Sequence, residues 1–135
     1  MIKALKVGSI YFAAVFALGF CLGVVRTLLL LPRVGETPAV LLELPVILAA
    51  SWFICARLLR QAPLSAWEAA VMGASAFALL MIAEAVLSVV LANRSLAEHL
   101  ALYAQSAHLL GLAGQVAFAL IPVIQASRSR APGGG

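Results

Sequence analysis

Aspartate is missing altogether from this chain of 135 residues, and charged residues of every kind make up only 10% of it. A soluble domain of this size carries about 25% charged residues, so a water-facing surface cannot be covered here. The solvent for most of the chain is therefore expected to be lipid. Side chains that carry chemistry are scarce too. The two cysteines, Cys21 and Cys55, have no metal-ligand spacing. Folded about Gly35 as a hairpin, they are offset by about 9 Å along the axis, beyond the ~7 Å Cα separation that a disulfide allows. No nucleophile–base pairing, phosphate loop, metal motif or internal repeat is visible, so no catalytic, cofactor or metal site is expected. The basic residues are scattered at segment ends rather than clustered, which argues against a nucleic-acid partner.

What remains is 64% hydrophobic, with a mean hydropathy of +1.11. Apolar runs separated by Pro, Gly and polar punctuation give an all-α fold, an integral membrane four-helix bundle. Its helices are expected at about 7–31, 38–59, 67–91 and 107–126, with a short interfacial helix at about 95–106. Residues 1–130 form a single four-helix transmembrane domain, and 131–135 are expected to be a disordered tail. The first apolar run is too long for a signal-peptide core and lacks a cleavage site, so it stays as a membrane helix. Thr37 and Pro38 read as an N-cap and first helical residue. Ser65 with Glu68, and Ser95 with Glu98, read as capping boxes. Pro45 is expected to kink the second helix and to free the Leu41 carbonyl for a neighbour's donor.

Topology follows from charge. Lys3, Lys6, Arg57, Arg60, Arg128 and Arg130 collect at one end, against Arg33 and Arg94 at the other. By the positive-inside rule both termini are cytoplasmic. The richness in Ala, Leu, Val and Arg fits a GC-rich bacterium, hence its inner membrane.

The stretch from Gly19 to Pro45 carries the sharpest signal. Gly19 and Gly23 form a GxxxG pair on the arc that also holds Arg26, so close approach of another helix is expected there. Arg26 lies nine residues before Gly35 and Glu43 eight after it, at nearly one depth in an antiparallel hairpin. Glu84 and Gln115 fall at the same depth on the third and fourth helices, giving an intramembrane polar layer of Arg26, Glu43, Glu84 and Gln115. Charges in hydrocarbon cost about 3 kcal/mol each, so these groups should face one another. In one reading Arg26 is a structural clamp, forked onto Glu43, Glu84 and the Leu41 carbonyl. In another, two carboxylates sharing one arginine hold a titratable proton and serve a carrier. A pocket for a quinone, a lipid headgroup or a partner helix is the third. His99 and His108, half a turn apart on a continuous helix, would not grip one metal or haem.

The run Gly19-Phe20-x-Leu22-Gly23-x-x-Arg26, then Pro32-Arg33-x-Gly35, then Glu43-Leu44-Pro45, resembles a group of small bacterial four-helix integral membrane proteins of uncharacterised function. The likeness spans the first two helices, and Glu84 and the capped Ser95 stretch look similar as well. It implies membership of a family without an assigned activity. The chain is thus expected to be a structural or accessory membrane protein. Its partners are the lipid bilayer and either a second copy or a larger membrane complex. The alternative is a proton-coupled carrier of a small solute using Glu43 and Glu84.

Overall fold

Runs of Ala, Leu, Val and Ile satisfy their backbone hydrogen bonds inside a helix without help from water, and helices carry almost all of this chain. The computed structural model describes residues 1–129; Arg130 and the tail over 131–135 lie outside the described residues. In order, the elements are α1 (Ile2–Val25), a π-helical turn (Arg26–Leu30), α2 (Leu31–Val34), α3 (Glu36–Gln61), α4 (Ala66–Val90), α5 (Leu96–Ala101), a 3-10 turn (Leu102–Ala104) and α6 (Ser106–Ser129). Among the described residues there is no strand. Four helical stretches are long and apolar enough to cross a membrane: Ile2–Val34, Glu36–Gln61, Ala66–Val90 and Ser106–Arg128.

The ends of these helices differ from expectation in instructive places. α1 begins at Ile2, so Lys3 and Lys6 lie on its first turns rather than ahead of it. Thr37 does not cap α3. Gly35, at φ 85°, holds that position, and the helix starts at Glu36. A positive φ suits glycine and strains other residues, which makes Gly35 the reversal point of the first hairpin. Pro38 then falls in the first turn, where no backbone hydrogen bond is lost. Both capping boxes are formed. The Ser65 hydroxyl accepts from the Glu68 N–H at 3.1 Å, and the Ser65 N–H donates to Glu68 Oε1 at 3.0 Å. Ser95 and Glu98 repeat the arrangement. Those bonds, the Ser95 backbone N–H foremost, hold the Glu98 carboxyl below the usual range.

α1 packs against α3 and α4, and α6 packs against the same two helices. α1 and α6 therefore face each other across one diagonal, α3 and α4 across the other. The inward seam of α1 repeats every three to four residues as Ala4, Val7, Tyr11 and Val15, and it meets Met72 and Ala76 of α4. Small residues permit the closest approaches: a Cβ at Gly8 would lie 2.7 Å from the Met72 carbonyl oxygen, and one at Gly73 would collide with the carbonyl of Ala119. Lys3 Nζ donates to the Pro63 carbonyl at 2.8 Å, tying the start of α1 to the α3–α4 link at one end. Gly35 and α5 lie at the other end. Phe53, Leu28, Ile82 and Trp67 point outward.

One buried polar contact crosses the centre. Pro122, fully buried within α6, has no N–H, so the Phe118 carbonyl one turn earlier lacks its helical donor. Tyr11 supplies one: its hydroxyl donates to the Phe118 carbonyl at 2.7 Å, and its ring stacks on Phe118 at 4.3 Å. The sequence had pointed to Pro45 and the Leu41 carbonyl for such a bond; it is Pro122 whose freed carbonyl a neighbouring helix satisfies, because Tyr11 is fully buried opposite it whereas Leu41 is half exposed. Tyr11→Phe should therefore keep the stacked ring but strand that carbonyl. The expected loss is about 1–2 kcal/mol, read as lowered thermal stability in detergent; unchanged stability would mean that the hydroxyl contributes nothing there.

Candidate functional site

Regular α winding of the first span stops at Val25. Through Arg26–Leu30 the turns widen, with the Leu31 N–H reaching back to the Arg26 carbonyl. Wide turns of this kind recur at functional positions, and this one opens with Arg26. Arg26 Nη1 donates to Glu43 Oε2 on α3. Glu43 is the more enclosed partner, its side chain 13% exposed against 33% for Arg26. On the other side Gln115 Nε2 of α6 donates to Glu84 Oε1 of α4. All four groups line one cavity of about 560 Å³.

The four residues read from depth alone thus share a cavity wall, but they form two pairs rather than one fork. Arg26 is bonded to Glu43 and acts on Glu84 only through space. Glu84 accepts from Gln115 of the adjacent α6, with the Tyr103 hydroxyl also in reach. Gln115 suits either ionisation state of Glu84, since an amide offers a donor to a carboxylate and an acceptor to a carboxylic acid.

Gly19 and Gly23 are placed differently from the expectation of close helix contact. A Cβ at Gly19 would meet only Ile47 Cδ1, at 3.8 Å, and one at Gly23 only Arg26 Nη2, at 3.7 Å. Both line the cavity, where their missing side chains leave space that no helix backbone fills. The tight backbone contacts are made by Gly8 and Gly73. Cys21 is exposed and Cys55 buried, and neither is in a disulfide.

The apolar wall is aromatic. Phe12, Phe16 and Phe20 form a ladder along α1, with successive ring centroids 5.3 and 6.5 Å apart, and Phe118 of α6 lines the same cavity. On the far side of the polar layer is a second cavity of about 480 Å³, sharing Arg26, Glu84 and Gln115 with the first. Its lining is polar: Glu36, Arg94, His99, Tyr103 and His108. Tyr103 lies edge-on to His99 at 5.6 Å and to His108 at 6.3 Å. His108 Nδ1 is 3.9 Å from Glu36 Oε1, and Arg94 Nη1 donates to the Ser88 hydroxyl at 3.2 Å. Burial, and then the nearby Glu84 carboxylate, push the Tyr103 phenol above its ordinary value.

The two histidines were expected on opposite sides of one helix. Gln105 is extended, with ψ 143°, and breaks that helix, so both rings turn towards Tyr103. Among the described residues, no three or more His, Cys, Asp or Glu side chains are grouped to hold a metal ion. The phenylalanine ladder and Tyr11 were missed in the sequence, although the four-residue spacing of Phe12, Phe16 and Phe20 was a readable signal. Chemically, the site is a carboxyl group with a neutral partner, set where an apolar aromatic chamber meets a polar one. Compared with family models, curated proteins and solved structures, the chain gives no match.

Proposed function

We propose that this chain is a multi-pass four-helix bundle of the bacterial inner membrane, with both termini cytoplasmic and a structural or accessory role rather than a catalytic one. Membership of the uncharacterised group that it resembles is part of the same reading. The Arg26–Glu43 pair carries it. Two charges on helices apolar enough to span a bilayer are costly unless they neutralise each other, and this pair joins the first two spans through their side chains. Reporter fusions at residue 62 and after Arg128 should read cytoplasmic, and one at Gly35 periplasmic; the opposite pattern sinks the topology. Purification in mild detergent should recover the chain with a second copy or a larger complex. A lone monomer would count against the accessory role.

A specific observation favours a second reading, a proton-coupled carrier of a small solute. Glu43 is charge-paired, whereas Glu84 is hydrogen-bonded by the neutral Gln115 and Tyr103, at the junction of the two cavities. A carboxyl in that position can gain and lose a proton as a solute comes and goes. In proteoliposomes with an enclosed pH dye, solute-driven proton movement should occur and should vanish in Glu84→Gln. Silence across cationic, neutral and anionic solutes would remove the carrier.

A further inference from the structure

We infer that the larger cavity is a binding site for an amphipathic organic cation, its apolar body among the phenylalanines and its charge on Glu84. This rests on the carrier reading, whose solute it names by chemical class. The charged groups on the cavity wall are Arg26, Glu43 and Glu84. Arg26 and Glu43 are bonded to each other. Glu84 is hydrogen-bonded by Gln115 and Tyr103 and lies within electrostatic reach of Arg26 and His99. With both carboxyls ionised against the one guanidinium, the cavity wall keeps an excess of negative charge. An anionic headgroup would meet two carboxylates and a guanidinium already engaged, so charge complementarity selects a cation. Most of the rest of the wall is apolar, with Phe12, Phe16, Phe20 and Phe118 among its lining, and aromatic rings attract a desolvated cation where it meets their faces. A hydrophilic cation such as sodium would gain nothing from those rings; a cation with an apolar body uses both halves of the site.

The route in is lateral. Gly19 and Gly23 have no side chains to close the space between α1 and α3, and the rim residues Phe20, Val24 and Leu28 are exposed. A solute dissolved in the surrounding apolar phase therefore reaches the chamber between these helices. When Glu84 is a carboxylic acid beforehand, its O–H bond breaks as the cation arrives. The carboxylate then pairs with the cation, and one proton leaves to water.

Tetraphenylphosphonium is a suitable probe for the purified full chain in detergent, followed by equilibrium dialysis together with proton release in weak buffer. Expected are saturable binding, release of protons on binding, and no comparable binding of the isosteric anion tetraphenylborate. Glu84→Gln should bind at least about tenfold more weakly. So should Gly23→Leu, which fills the mouth at a position where the nearest atom to a new Cβ is the flexible Arg26 side chain, at 3.7 Å. Thermal unfolding of both variants checks that the fold is retained. Absence of saturable binding, equal binding of the anion, or unchanged affinity in both variants would overturn the site. Proton movement driven by an uncharged solute, with no cation binding, overturns the solute class and spares the carrier. Glu84-dependent cation binding with no proton movement in vesicles keeps the site and removes the carrier.

Discussion

Arg26→Ala and Glu43→Gln are each expected to lower stability in detergent by about 3 kcal/mol, the low end of what stranding one member of a buried ion pair costs. Arg26→Ala leaves the Glu43 carboxylate in an apolar wall, and Glu43→Gln leaves a guanidinium there. Protonation of the first and snorkelling of the second offer partial escape, which is why the larger end of the range is not expected. The double variant Arg26→Met with Glu43→Gln strands neither charge and should lose clearly less than the two single losses added together. Thermal unfolding of the two singles and the double measures the coupling directly. Additive losses would mean that the side chains do not hold each other, and the structural role assigned to the pair would fail. Glu84→Gln should be milder, because Gln115 can turn its amide to meet another amide.

The second large effect is expected at Gly73. A Cβ there would run into the backbone carbonyl of Ala119, and a backbone atom cannot swing aside as a side-chain tip can. α4 and α6 would have to separate along their contact, opening the seam beside Met72 and Phe118. Gly73→Ala is expected to cost about 2–3 kcal/mol, a large overpacking effect for one methyl group. Gly19→Ala adds the same methyl group where only Ile47 Cδ1 lies nearby, at 3.8 Å, and should stay within about 0.5 kcal/mol of the parent. Equal behaviour of the two variants in thermal unfolding would mean that α4 and α6 do not approach so closely.

The contrast between those glycines shows where sequence reading stops. Helix positions were legible because apolar length and polar punctuation are local properties, and Ser65–Glu68 and Ser95–Glu98 are local chemistry as well. Depth was legible too: counting from the Gly35 turn brought Arg26 and Glu43 to one level, and counting from the ends of the third and fourth helices on that same side did so for Glu84 and Gln115. Rotation about each helix axis and lateral order were not. Gly19 and Gly23 carry the motif for close packing, yet which helix approaches which glycine depends on neighbours that no local pattern names. The same holds for Glu84, which accepts from Gln115 of α6 although Arg26 is within electrostatic reach. His99 and His108 were separated by assuming an unbroken helix, and the extended backbone at Gln105 undoes that assumption without any Pro or Gly to announce it.

The wide turn at Arg26–Leu30 gives the first span room for one residue that ordinary winding would not hold, since a π-type turn takes up one residue more than an α turn does. Removing any one of Leu28, Leu29 or Leu30 would let the span rewind as plain α-helix, and the segments on either side would keep their facing. Leu28 and Leu29 are exposed, so the loss of one leucine would scarcely alter the apolar surface either. In relatives of this chain, a single-residue gap between Arg26 and Pro32 would therefore mark a protein that has lost the wide turn yet still directs its arginine to the side of Glu43.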